Sequence, residues 1–189
     1  MQRFRVKELA VSLSDYATVN EEASLYEAIL ALDHARDGFD PNRLKHRAIL
    51  VLDSNDKVIG KIGFHEVLEG LEPKYSRIRE QENLGGIFTL AFLKTQLQKY
   101  ELWDKPLDDI CRKAARLHVR DFMHTPAEAE CIDEEATLDQ AVHQLIATRQ
   151  QSLLIQGSGR VTGILRLSDV VEKIFDMIKA CELDLPESS

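Results

Sequence analysis

Two similar stretches of sequence, one near each end of the chain, indicate the fold. Residues 18–32 read TVNEEASLYEAILAL, and residues 131–145 read CIDEEATLDQAVHQL. The same register matches residues 6–9, VKEL, with residues 119–122, VRDF. Two tandem copies of one structural unit are therefore predicted.

Each copy carries local signals for a helix, a hairpin and a second helix. Ser24-x-x-Glu27 and Thr137-x-x-Gln140 are capping boxes, which predict helices from Leu25 and Leu138. In both helices apolar residues recur at i, i+3, i+4 and i+7, so one stripe of each should be buried: Leu25, Ala28, Ile29 and Leu32 in the first copy, and Leu138, Ala141, Val142 and Leu145 in the second. Two short apolar runs around a turn follow, as in an antiparallel hairpin, and a last helix begins near Glu66 or near Ser168. The predicted unit is strand, helix, strand, strand, helix, preceded by a short lead-in helix at 6–9 or 119–123.

The two copies differ in length and are separated by an unrepeated segment. The hairpins match at a register shifted by about ten residues, which places an insertion at the turn-forming residues 37–43 of the first copy. The chain divides into a first motif at 1–72, a helical connecting segment at 73–117, a second motif at 118–185 and a tail at 186–189. Within the connecting segment helical character runs over 84–103 and 107–117, and one helix has an apolar stripe that must pack on something: Leu90, Leu93, Leu97 and Tyr100. Either the module or its dimer covers this stripe, or it is a docking surface for a separate protein.

Composition excludes several classes of protein. The chain has 189 residues, of which 44% are hydrophobic, and its net charge of -8 has the wrong sign for generic nucleic-acid binding. The amino end has no apolar signal segment, and the longest apolar stretch is far shorter than a bilayer span, so secretion and membrane insertion are disfavoured. The three cysteines, Cys111, Cys131 and Cys181, form no C-x-x-C pair, which suits reduced thiols in a cytoplasm.

The order of elements, the tandem arrangement and the ending of each copy resemble the CBS-domain family, in which two motifs form a Bateman module. The resemblance rests on residues 119–123 (VRDFM), 136–141 (ATLDQA) and 163–171 (GILRLSDVV). It implies an α/β (α+β) fold with two β-α-β-β-α motifs related by pseudo-twofold symmetry and an inserted helical segment. It also implies a non-enzymatic module that binds an adenosyl compound, such as AMP, ADP, ATP or S-adenosylmethionine, in a cleft between the motifs. Modules of this kind commonly form homodimers.

The resemblance also implies which residues contact the ligand. The family pattern is Gly-h-h-[Ser/Thr]-x-x-Asp, with the hydroxyl toward phosphate and the Asp on the ribose. The second copy has Gly163 and Asp169 but places Arg166 where the hydroxyl is expected, and an Arg there can pair with phosphate or simply fill the pocket. Ser168 is either a ligand contact or the helix N-cap. The first copy departs further, with Gly63 at the hydroxyl position, Glu66 at the acidic position and His65 as a neighbouring donor.

Nothing in the sequence predicts an enzyme or a metal site. The doublets Glu21-Glu22 and Glu134-Glu135 are better explained as favourable charge at helix entry than as paired catalytic carboxylates. The six histidines have no H-x-x-x-H or H-E-x-x-H spacing, and no nucleophile or phosphate-loop motif is present.

The expected function is therefore a regulatory module that senses an adenosyl ligand and signals to an unknown partner protein. No cofactor is required for this role. The alternative is a ligand-free dimerisation or interaction module that uses the central helices.

Overall fold

The computed structural model describes residues 4–37, 47–75, 78, 89–103 and 109–180. It contains two sheets and six α-helices in these residues, so the predicted α/β fold class is confirmed. Most of the predicted insertion at 37–43, the start of the helix predicted from residue 84, Cys181 and the tail lie outside the described residues. Among those described, no helix is both long and apolar enough to cross a bilayer.

The described residues form two compact units, and each unit combines one motif with the lead-in of the other. Unit 1 contains residues 4–16 and 126–180, and unit 2 contains the described residues between 17 and 125. The lead-in at the start of the first copy thus belongs to the unit that holds the second hairpin. Residues 119–123, which precede the second copy, belong to the unit that holds the first hairpin.

Unit 2 is built on a three-stranded sheet in the order β2-β3-β4. Strand β2 (Thr18–Asn20) runs parallel to β3 (Ala48–Leu52), and β3 pairs antiparallel with β4 (Val58–Gly63) in the predicted hairpin. The helices of this unit are α1 (Leu25–Asp37), α2 (Phe64–Leu71), α3 (Leu90–Lys99) and α4 (Ile110–Arg116). Its core contains Ala17, Ala28, Leu32, Ile49, Val51, Ile62 and Val119.

Unit 1 is built on a four-stranded sheet in the order β1-β7-β6-β5. Its strands are β1 (Val11–Ser12), β5 (Cys131–Asp133), β6 (Ser152–Gly157) and β7 (Arg160–Arg166). Strands β6 and β7 form the second predicted hairpin, and β1 from the lead-in pairs antiparallel with β7. Helices α5 (Leu138–Thr148) and α6 (Leu167–Lys179) complete this unit. Its core includes Val6, Ile132, Leu138, Leu145, Leu153, Ile155 and Leu165.

Both capped helices begin where the capping boxes predicted. The Ser24 N–H donates to Oε2 of Glu27 at 2.7 Å, and the Thr137 N–H donates to Oε1 of Gln140 at 2.9 Å. The burial of the stripes is confirmed at every position of the i, i+3, i+7 series, but Ile29 is 39% exposed, so its predicted burial is wrong. The physical reason is helical geometry: at about 100° per residue Ile29 lies about 40° to one side of Leu25, whereas buried Ala28 and Leu32 lie to the other side, so Ile29 is at the edge of the stripe.

Each lead-in is fixed by the same pair of backbone hydrogen bonds. In unit 1 the Val6 N–H donates to the Ala136 carbonyl at 3.0 Å, and the Leu138 N–H donates to the Phe4 carbonyl at 2.9 Å. In unit 2 the Val119 N–H donates to the Ala23 carbonyl at 2.9 Å, and the Leu25 N–H donates to the Leu117 carbonyl at 2.8 Å. One of the unpaired N–H groups at the start of each helix is thereby satisfied by the lead-in. The lead-ins themselves are single 3-10 turns, Val6–Glu8 and Val119–Asp121.

Candidate functional site

The junction between β7 and α6 in unit 1 carries four of the predicted site residues. Strand β7 ends at Arg166, and α6 begins at Leu167, whose N–H donates to the Gln151 carbonyl at 2.9 Å. This bond fixes the first turn of α6 to the edge of the sheet. Residues three apart on a helix share a face, so the side chains of Arg166 and Asp169 meet across that turn.

Arg166 and Asp169 form a bidentate ion pair in the interior of unit 1. Nε of Arg166 donates to Oδ2 of Asp169 at 2.7 Å, and the terminal nitrogen Nη2 donates to Oδ1 at 2.5 Å. Each residue is only 5% exposed. Both carboxylate oxygens therefore accept a charge-assisted hydrogen bond, and the buried pair carries no net charge.

Gly163 and Ser168 do not belong to the ion pair: Gly163 lies within β7, and Ser168 lies in the first turn of α6. A Cβ at Gly163 would lie 2.5 Å from the carbonyl oxygen of Val11, so glycine allows the backbone of β1 to approach β7. Ser168 is half-buried inside the first turn of α6, and Arg166 occupies the N-cap position. The N-cap role considered for Ser168 is therefore wrong, because the helix begins at Leu167, two residues earlier than that role requires.

A cavity of about 290 Å³ opens beside Asp169 in unit 1. It is lined by Glu8, Leu9, Asp169, Glu172, Lys173 and Asp176. Lys173 is partly engaged, since its Nζ lies 3.9 Å from the centre of the Phe4 ring. The wall is therefore acidic on balance. The sequence carried a signal for this surface that our interpretation missed: positions 169, 172, 173 and 176 follow helical spacing and share one face of α6.

The corresponding junction of unit 2 lies between β4 and α2 and has a different arrangement. Oε2 of Glu66 accepts the N–H of Gly63 at 2.8 Å, so this carboxylate caps its own helix. A Cβ at Gly63 would lie 2.9 Å from that same oxygen. His65 is exposed on the first turn of α2, and Glu66 is half-buried. The structure thus brings Gly63 and Glu66 together and leaves His65 on the surface.

The acidic doublets bind the lead-ins. In unit 1 Glu135 accepts hydrogen bonds from Lys7 and Arg5, and the hydrogen bond that Lys7 donates to Glu135 raises the pKa of Lys7 above its usual range. In unit 2 Glu22 accepts a hydrogen bond from Arg120, and its carbonyl lies 2.8 Å from Nδ1 of His118. Charge at helix entry is therefore accompanied by a direct contact with the lead-in, which the sequence interpretation missed.

Comparison with known proteins identifies the family. A family model described as CBS domain matches residues 6–72 and 119–176. No curated protein sequence matches the chain. Solved structures with the same fold include CBSX2 of Arabidopsis thaliana in complex with AMP, which has 16% identity and a TM-score of 0.58 over 92% of this chain and 98% of that one. A CBS domain-containing protein of unknown function from Kribbella flavida has 16% identity and a TM-score of 0.59 over 91% and 98% of the two chains. Another from Bacillus anthracis has 18% identity and a TM-score of 0.59 over 93% and 95%. The chain therefore belongs to the CBS-domain family.

Proposed function

We propose that this chain is a non-enzymatic regulatory module that senses an adenine nucleotide or another adenosyl ligand and passes its occupancy to a partner protein. The observation that carries the proposal is the buried Arg166–Asp169 pair at the start of α6. The complex of CBSX2 with AMP supports the ligand class, since that protein has the same fold.

The ion pair suggests how a nucleotide would bind. The two hydroxyls of a ribose can donate to the same two oxygens of Asp169 that now accept from Arg166. The released guanidinium would then pair with the ligand phosphate, for which its planar fork is well suited. Binding by this exchange leaves neither buried charge without a partner, so it avoids the large cost of isolating one. The N-terminus of the 13-residue helix α6 adds a favourable dipole for the phosphate.

The wall of the neighbouring cavity favours a ligand with few phosphates. Glu8, Glu172 and Asp176 surround the opening, and Arg166 provides one guanidinium for charge pairing. A single phosphate can pair with that guanidinium and with Lys173, whereas the additional charges of ATP would meet carboxylates. We expect AMP to bind more tightly than ATP, with S-adenosylmethionine as the other adenosyl candidate.

The predicted contact residues in unit 2 should bind a nucleotide more weakly than those in unit 1. Glu66 would have to release the Gly63 N–H before it could accept from a ribose, and that N–H would then need another partner. Exposed His65 remains available as a phosphate donor. We therefore propose that unit 1 provides the principal site.

A ligand can transmit a signal only if it binds two conformations with different affinity. We propose that ligand exchange at Arg166 shifts α6 between two positions, and that a homodimer of this chain presents the result to the regulated protein.

The decisive experiment measures thermal stability of the full chain with AMP, ADP, ATP and S-adenosylmethionine, with GTP as a control. A ligand at 100 times its Kd stabilises the folded protein by about 2.7 kcal/mol. We expect a clear shift with AMP and a smaller one with ATP. Calorimetry should then give a weaker Kd for Asp169→Asn and an unchanged Kd for Asp33→Asn, an exposed carboxylate on α1. If none of the adenosyl compounds stabilises the protein at millimolar concentration, the sensor proposal is wrong.

One observation favours a second candidate, the ligand-free dimerisation or interaction module. Leu90, Leu93 and Leu97 on α3 are 69%, 47% and 49% exposed. In this alternative the Arg166–Asp169 pair is permanent, and α3 provides the contact surface. The nucleotide titration distinguishes the two candidates, because only the sensor is expected to bind an adenosyl compound.

A further inference from the structure

Unit 2 contains a larger cavity that takes no part in the proposed nucleotide site. It has a volume of about 500 Å³ and lies between the C-terminal ends of α2 and α4. Leu71, Glu72 and Lys74 line it from α2 and the residues that follow, and Lys113, Arg116 and Leu117 line it from α4 and its C-cap. This volume is in the range of sites for small molecules.

The charge on its wall is opposite to that of the protein as a whole. Among the described residues of the wall, three are cationic, Lys74, Lys113 and Arg116, and one is a carboxylate, Glu72, although the chain has a net charge of -8. Glu72 is only 7% exposed, and its Oε2 accepts the N–H of Trp103 at 2.9 Å. The cations therefore outnumber the carboxylate among the described residues of this wall, which favours an anionic ligand on a molecule that is acidic as a whole.

The cations keep donors available for an anion. Nζ of Lys113 donates to the Leu71 carbonyl at 3.3 Å, and Nζ of Lys74 donates to the Glu101 carbonyl at 2.5 Å. Because an ammonium has three N–H donors, one carbonyl leaves each lysine with two more. Arg116 is exposed and has no acidic partner among the residues that the structure describes. Its five donors can therefore reach a ligand without breaking a described ion pair.

The other lining residues that the structure describes are apolar: Gly70, Leu71, Pro73 and Leu117. Leu71 is 8% exposed and belongs to a cluster with Leu25 and Ala114, against which Leu117 and Trp103 pack. A ligand with an anionic head and a flat apolar body would place its charge at the three cations and its body against the leucines. We propose that this cavity binds a small organic anion of that kind, at a site separate from residues 63–66 and 163–169.

Trp103 provides a direct readout. It is the only tryptophan in the sequence, its N–H is bonded to Glu72 of the cavity wall, and its Nε1 donates to the Tyr75 hydroxyl at 3.2 Å. We would titrate the full chain with phenyl phosphate at constant ionic strength and follow Trp103 emission and the heat of binding. Inorganic phosphate and phenol separate the contributions of the charge and the ring. We expect saturable binding of phenyl phosphate, weaker binding of inorganic phosphate and none of phenol.

Variants on one helix distinguish a site from general charge attraction. Arg116→Gln should weaken phenyl phosphate binding about tenfold, since a hydrogen bond to a charged group contributes on that scale. Arg112→Gln is the matched control, because Arg112 is exposed on the same helix and pairs with Asp109 at 3.3 Å. It should leave the affinity unchanged. Lys74→Gln should weaken binding as much as Arg116→Gln does. Lys113 is left unchanged in these tests, because its replacement would also remove its hydrogen bond to α2. Equal affinity in the Arg116 and Arg112 variants would overturn the proposal, as would the absence of saturable binding at millimolar phenyl phosphate.

Discussion

Removal of the Asp169 carboxylate should destabilise unit 1 far more than loss of an ordinary ion pair. In Asp169→Asn the Arg166 guanidinium keeps its place but loses a charged partner, and the side chains of the two residues are only 7% and 4% exposed. Breaking a buried pair by removing one member costs about 3–5 kcal/mol, because an uncompensated charge remains. Asparagine retains one acceptor oxygen, so we expect the free energy of unfolding to fall by about 3 kcal/mol, the lower end of that range.

Urea unfolding followed by far-ultraviolet circular dichroism measures this loss. The matched control is Asp176→Asn, which breaks the pair between Asp176 and Lys179 at the same i, i+3 spacing on the same helix. Those side chains are 70% and 76% exposed, so the control should change stability by less than about 0.5 kcal/mol. A double variant, Arg166→Met with Asp169→Leu, should recover most of the loss, since no charge is then buried. The reasoning is refuted if Asp169→Asn and Asp176→Asn are equally stable.

Three further predictions concern packing, pH and assembly. Gly163→Ala should lower the free energy of unfolding by about 1–3 kcal/mol, because the added Cβ meets a backbone carbonyl of β1. Gly157→Ala in the same hairpin should cost less, because its Cβ meets only a carboxylate that can rotate away. Denaturant titration of both variants compares their free energies of unfolding. The backbone N–H of Ser24 at the start of α1 lowers the pKa of Glu27 below its usual 4.5, so the stability that Glu27 contributes is present above pH 4.5 and is lost as the pH falls through the folded pKa. Glu27→Gln should therefore flatten the acid limb of a plot of stability against pH. An unchanged acid limb contradicts the assignment. Leu93→Asp should reduce the mass measured by light scattering if α3 forms the subunit contact, and an unchanged mass removes α3 from that contact.

The parts of the fold that depend on local chemistry could be predicted from the sequence. Helices α1 and α5 begin at Leu25 and Leu138, as the capping boxes indicate, because a cap is satisfied within one turn. Both hairpins are also present where turn residues separate apolar runs. The repeat predicted correctly that the two copies would have the same elements.

The assignment of each lead-in to a unit could not be predicted in this way. Val11 pairs with Ile164, and nothing in the local pattern of either strand identifies a partner so distant in the chain. The spacing of Arg166 and Asp169 made a contact between them foreseeable, but their burial depends on how α6 packs against the sheet and the lead-in. For the same reason the sequence identified candidate residues without showing that two of them neutralise each other.

The two junctions show how a change at one position alters a repeated site. Arg166 and Gly63 occupy equivalent positions in the two copies, and so do Asp169 and Glu66. Where the first position is arginine, the carboxylate turns to a side chain that can itself move to a phosphate. Where it is glycine, the carboxylate turns to its own backbone N–H, which cannot move without unwinding the start of the helix. The exchange that we propose for nucleotide binding therefore needs the arginine, and it is available in unit 1 and not at the junction of unit 2. We therefore propose an asymmetric module with one principal ligand site, even though the two copies share the same fold.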